Sequence, residues 1–281
     1  MSKKLLIVGR GSSWKRIKEI PNDYEMILFI NTPSILSVKE KDEELIERVR
    51  TKKVVIYSNM PQRTLAFREE ILNFLDVDEC AIARCSPNWA LWNKHKAKQK
   101  RTCPAWKQLS TLPPLEEDEP YQYIWRGPEP TNAPEMFTPG GRKIIHLVDE
   151  AEQYLAAIYG DKIMCNCSIY ASLYGLLKLK ADHIYYCGVD FYHDLRISKK
   201  SFIEAPKYMS GQDWWDLRVK TEGEHTKIAY NDYMAKFFPD AVFEFYTAAD
   251  WEPSSENVKT HCSKNEIIYK HYGQNYYDQG D

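Results

Sequence analysis

Four polar strand ends hold the residues of this sequence that could do chemistry. Gly9-Arg10-Gly11-Ser12-Ser13 follows the apolar run Leu5–Val8, and Asn31 follows Tyr24–Ile30. Asn59 comes just after Val54–Tyr57, and Asp190-Phe191-Tyr192 ends the run that starts at Ile184. In an open α/β sheet, ligands bind beyond the carboxyl ends of the strands. If these runs are parallel strands, all four ends share one edge. Glycines permit close backbone approach, and a helix N-terminus favours an anion. Arg10, Ser12 and Ser13 add donors at the same mouth. The spacing is not a full GxGxxG, because Trp14 takes the third position, and it is not a GxxxxGK[ST] loop. A tight turn and a phosphate site are both open readings of it. The neutral amides of Asn31 and Asn59 can hold a sugar hydroxyl or a base edge. The alternative is that Asn merely suits the turn after a strand.

His225 opens the helical stretch Thr226–Phe238. The helix dipole there favours a neutral imidazole, which can take a proton from an attacking hydroxyl. Glu222 and Glu224 pull the other way. Neither a Gly-x-Ser-x-Gly elbow nor a His-Glu-x-x-His pair occurs. Asp76-Val-Asp78 has the form of a metal-holding acid pair, but it follows a helix and precedes a strand, which suits a solvated turn. The seven cysteines include no CxxC, and Cys165-Asn-Cys167 is not metal-ligand spacing. They suit reduced thiols in a cytoplasmic protein. None of these motifs calls for a metal or a resident cofactor.

The elements that must position these residues alternate along the chain. Strand-like runs separated by helical segments predict an α/β fold with a doubly wound, mostly parallel, Rossmann-like sheet. The helices are expected over Lys41–Val49, Leu65–Leu75, Asp149–Tyr159, Ile169–Leu179 and Thr226–Phe238, and the strands also over Cys80–Ala83 and Val242–Tyr246. Residues 1–281 suggest one large α/β domain of nucleotide-sugar-binding type, with a core that needs neither disulfides nor metal. Residues 85–142 break the rhythm and look like a long insertion, and 194–222 like a lid. The tail after Trp251 is polar and weakly ordered by composition. The net charge of −2 makes no global case for a nucleic-acid binder. The N-terminus shows no signal-peptide core, and no apolar run approaches about 18 residues, so no spanning helix is expected.

Four segments resemble the bacterial α-2,3/2,8-sialyltransferases typified by the Campylobacter enzymes. Leu6-Ile-Val-Gly-Arg-Gly-Ser-Ser-Trp-Lys15, with Ile20-Pro-Asn-Asp-Tyr24, is similar to that family's opening strand and nucleotide loop. Phe29-Ile-Asn31 resembles the next strand tip. Ser168 through Cys187-Gly-Val-Asp-Phe-Tyr192 matches a helix–strand unit of the family without a gap, and Gly223-Glu-His225 resembles its general-base segment. The resemblance implies a metal-independent, inverting glycosyltransferase of the GT-A-variant fold that uses a CMP-activated sugar and forms a homo-oligomer. It implies His225 as general base and Tyr192 as donor to the leaving phosphate. Gly9 and Gly11 would cradle the nucleotide, Asn31 and Asn59 would hold nucleotide or sugar, and Ser168 would hold the donor sugar. Arg10 stands where the family has Asn. Met164-Cys-Asn replaces the family's arginine before Ser168, and Glu222 replaces a tyrosine before the base. Arg10 or Arg196 is expected to supply the missing phosphate contacts, with CMP-sialate or another nucleotide-sugar as donor.

The insertion interleaves Trp89, Trp92, Lys94, Lys96, Lys98, Lys100 and Arg101, a mix that suits phosphate contact with stacking. The plainer reading is a solvated basic loop whose Trp residues anchor it to the body; alternatively, the acidic run Glu116–Glu119 neutralises the basic cluster in cis. The acceptor is thus a glycan or, in a second reading, a hydroxylated base of DNA, as a viral enzyme would use. A metal-dependent phosphotransferase on a similar sheet, and a non-catalytic nucleotide- or glycan-binding protein, are the competing classes.

Overall fold

The computed structural model describes residues 2–31, 33–36, 42–58, 67, 69–82, 136–138, 141–147, 150–159, 167–191 and 223–262. Its centre is one nine-stranded sheet. The strands are β1 (Lys4–Val8), β2 (Met26–Ile30), β3 (Lys53–Ser58), β4 (Glu79–Ile82), β5 (Met136–Phe137), β6 (Lys143–His146), β7 (His183–Cys187), β8 (Val242–Thr247) and β9 (Val258–Cys262). Their order is β5-β6-β4-β3-β2-β1-β7-β8-β9. Among the described residues, eight strands are parallel and only β5 runs antiparallel, against β6. The chain is thus an α/β protein with a doubly wound sheet.

Side-chain alternation builds two cores, one on each face. Leu5 and Ile7 of β1 enter one, and Leu6 and Val8 the other; all four are buried. On the second face lie a 3-10 helix (Ser12–Lys18), α1 (Glu43–Arg50) and α2 (Glu69–Phe74). Asp42 caps α1, accepting from the Leu45 amide at 3.1 Å. On the first face lie α3 (Ala151–Tyr159), α4 (Cys167–Leu173) and α5 (Glu224–Ile228). A π-helical stretch, Tyr174–Leu179, extends α4, and another, Ala229–Met234, joins α5 to α6 (Ala235–Phe237). The connections that build outward from β1 in the two directions therefore cover opposite faces, as right-handed crossovers require. The order reverses between β1 and β7, which is the topological switch point of the sheet.

Three sequence expectations need correction. The tail after Trp251 is not wholly irregular, because β9 pairs with β8 over five residues. Its alternation of half-buried and exposed polar residues hides an edge strand. The stretch 85–142 is not irregular to its end, because β5 lies inside it, and β6 begins just after it and pairs with β4. The helix over Ile169–Leu179 begins two residues earlier and changes to π geometry at Tyr174. Asp76-Val-Asp78 is a turn: Asp76 has φ 52°, and the Asp78 carboxylate takes the Val54 amide at 2.6 Å. Among the described residues, no helix is long and apolar enough to cross a membrane.

Candidate functional site

At the switch point the loop after β1 is zipped to the tip of β7. The Gly9 amide donates to Cys187 O at 2.7 Å, and the Gly11 amide to Gly188 O at 2.7 Å. The Gly188 amide returns a bond to Ser13 Oγ at 2.8 Å. The approach is so close that a Cβ on Gly9 would sit 2.2 Å from Gly188 O, and one on Gly11 2.3 Å from an Asp190 oxygen. Gly188 itself has φ 68°, where only glycine is unstrained. Both glycines are thus demanded by the packing of two strand ends. Their amides brace the loop, and Arg10 between them is half-buried.

Asp190 completes the brace. Its carboxylate is buried, 5% exposed, and points back into the loop. It accepts from the Ser13 amide at 2.9 Å, the Ala248 amide at 2.8 Å and Thr247 Oγ1 at 3.1 Å, with Ser12 Oγ at 3.4 Å. One carboxylate therefore ties the ends of β1, β7 and β8 together. Ser12 and Ser13 are fully buried in the same knot. Asp190 and Ser12, candidates for ligand contact from the sequence, act inward.

Asn31 faces the other core. Its φ of 62° is the left-handed conformation that Asn tolerates better than most residues. Its Oδ1 accepts from Ser58 Oγ at 3.0 Å, and its Nδ2 lies 3.9 Å from Cys167 Sγ, at the start of α4. The structure thus joins the tips of β2 and β3 to the residue before Ser168. Ser168 is buried at 6% exposure. It lies above a hydroxyl network in which Ser172 Oγ is 2.8 Å from both Tyr186 and Tyr230 hydroxyls and donates to Ser168 O at 2.7 Å. Burial, eased by hydrogen bonds from Ser168, Ser172 and Tyr186, leaves the Tyr230 hydroxyl pushed up to about 12, so it stays protonated.

His225 sits on the first turn of α5, half-buried. What places it is Gly223, whose missing Cβ would lie 2.3 Å from Phe191 O. The start of α5 therefore rests directly on the end of the β7 tip. Phe191 bends there with φ 48° and packs edge-on to Trp251, ring centroids 5.0 Å apart. The imidazole stacks on Tyr159 from α3. Tyr230, one turn and a half further along the same helical run, reaches the Ser168–Ser172 network.

The structure therefore gathers Gly9–Gly11, Asn31, Ser168, Asp190 and His225 at one end of the sheet. Tyr192, Asn59, Trp89, Trp92, Lys94, Lys96, Lys98, Lys100 and Arg101 lie outside the described residues, as does the segment 194–222. Sequence reasoning missed Tyr159, Ser172, Tyr230 and Thr247. Ser168 and Ser172 could have been flagged as an i, i+4 pair on one helix face; the others depend on long-range contact. The described cysteines are free thiols, with Cys80 pushed up to about 12 and Cys187 also raised by burial, so both are poor nucleophiles. No protein-family model, curated protein or solved structure matches this chain.

Proposed function

We propose that this protein is an inverting glycosyltransferase that moves a sugar from a nucleotide-activated donor to an acceptor hydroxyl without a metal. The observation that carries the reading is the seating of Gly223 on Phe191 O. Gly223 rests on the end of the β7 tip and His225, a base-type side chain, follows it by two residues, at the switch-point edge of a doubly wound sheet. On this reading His225 takes the proton of the acceptor hydroxyl as its oxygen attacks the anomeric carbon. The bond from that carbon to the donor phosphate breaks, and the nucleotide leaves with its electron pair. Tyr192, next after Phe191 in sequence, is the proposed donor to that phosphate. Ser168 and Asn31 are the proposed contacts to donor sugar and nucleotide. The resemblance to sialyltransferases supports CMP-sialate as the first donor to try, and Arg10 supports a donor whose phosphate contacts differ.

The test is a panel of CMP- and UDP-sugars, read as nucleotide release with EDTA present. Turnover of at least one donor is expected, and His225→Ala should lower it by roughly 10²–10⁴-fold, the usual contribution of a general base. Undiminished turnover in His225→Ala, or activity abolished by EDTA and restored by a divalent metal, would overturn the proposal.

A further inference from the structure

Tyr159 closes α3 and is itself almost buried, at 6% exposure. Its ring lies near-parallel to two others: the His225 imidazole, centroids 5.4 Å apart and planes 19° apart, and the Tyr170 ring, 6.1 Å and 21° away. The three rings come from three helices, α5, α3 and α4, and make a near-parallel group. Both spacings fall in the range where aromatic pairs attract beyond simple burial. Tyr170 is two residues from Ser168 on α4, and it is also buried.

We propose that Tyr159 is a positioning residue for His225, and that the group fixes the imidazole plane relative to the Ser168 helix. This rests on the reading of His225 as the general base. A histidine on the first turn of a helix has two side-chain torsions to settle. Rotation about the second would swing the ring nitrogens away from an acceptor hydroxyl. A ring stacked flat against one face blocks that swing, because turning the imidazole would drive its edge into Tyr159. Tyr159 belongs to α3, and none of the loops that meet at the switch point contains it. Its contribution is to orientation, and misplacing a reacting group by about 1 Å can cost 10²-fold in rate. The loss should therefore fall on kcat, because the donor contacts are made by other residues.

Tyr159→Phe keeps the ring, and Tyr159→Leu removes it at similar bulk. The first readout needs no substrate: the His225 ring resonances in a histidine-labelled chain, assigned by their disappearance in His225→Gln. The shielding by the stacked ring should persist in Tyr159→Phe and vanish in Tyr159→Leu. The second readout is nucleotide release from whichever CMP- or UDP-sugar is turned over. Tyr159→Leu should lose at least tenfold in kcat with donor KM within about twofold, and Tyr159→Phe should restore kcat. Tyr170→Leu, which removes the third ring, should show a smaller kcat loss of the same kind and serves where Tyr159→Leu does not fold. Resonances of His225 that are identical in all variants would overturn the proposal. So would a Tyr159→Phe loss as large as that of Tyr159→Leu, or a change in donor KM in place of kcat. Full turnover by His225→Gln would instead overturn the general-base reading, and the resonances would still decide whether Tyr159 holds the ring.

Discussion

Asp190 shows how far a residue's type and its task can diverge. An acid at a strand tip is a natural ligand candidate, yet this one is spent on the chain's own donors: two backbone amides and Thr247 Oγ1. The partners Thr247 and Ala248 lie 57 and 58 residues away, so nothing near Asp190 in sequence announces them. The same holds for Gly9 and Gly11. Their spacing suits a phosphate loop and a close backbone crossing equally well, and only the neighbour across the gap, Gly188, decides between them. By contrast, His225 was legible, because its place at a helix start is a local property. Asp190→Asn tests the inward role. The amide keeps the shape but turns an NH2 toward a donor, either the Ser13 or the Ala248 amide, and leaves that pair unsatisfied in a buried site. Such a loss costs about 1–3 kcal/mol, more where a charged acceptor is removed. Urea unfolding should show a stability loss of about 2 kcal/mol or more. A loss below about 0.5 kcal/mol would mean that the knot is not what holds the three strand ends.

At the scale of elements, legibility followed burial. The central strands β1, β2, β3, β7 and β8 are apolar runs because both of their faces are covered, and such runs stand out in sequence. Both edges were missed. β9 reads Val-Lys-Thr-His-Cys, and β5 is two residues long, so neither carries an apolar run. Helix geometry was less legible than helix position, and both long helical runs on the first face contain a π-helical stretch. The first of these ends on Lys180, whose φ of 62° is left-handed and whose amide bonds to Gly175 O. That is a helix-terminating position that glycine normally fills. A residue with a Cβ is strained there by roughly 1–2 kcal/mol. Lys180 is exposed. Lys180→Gly should therefore stabilise the protein by on the order of 0.5–1 kcal/mol, after the extra freedom of glycine in the unfolded chain is subtracted. A lower denaturation midpoint in Lys180→Gly would show that the side chain contributes more than its backbone strain costs.

For the molecule as a whole, the half of the sheet beyond the switch point is cross-linked by polar groups as well as by the ladder. Glu244 of β8 bridges its two neighbours, with one oxygen 3.0 Å from His183 Nε2 of β7 and the other 2.8 Å from His261 Nε2 of β9. Arg16, from the 3-10 helix, reaches the same region through Thr247 O and His261 O. Burial alone would push the Glu244 carboxyl up, but the hydrogen bonds from His261 and His183 outweigh it, and the group sits below the ordinary glutamate value. A carboxyl depressed in the folded state contributes stability that is fully present above its unfolded value of about 4.3, and that contribution is lost as pH falls through the folded one. Glu244→Gln carries no such linkage, because its amide stays neutral throughout, much like a protonated carboxyl in shape and charge. Wild type should therefore melt above Glu244→Gln at pH 5, and the gap should close on acidification to pH 3. A gap that stays constant or widens toward pH 3 would mean that the two histidines do not hold Glu244 ionised, and that the β7–β8–β9 edge stands on its backbone ladder alone.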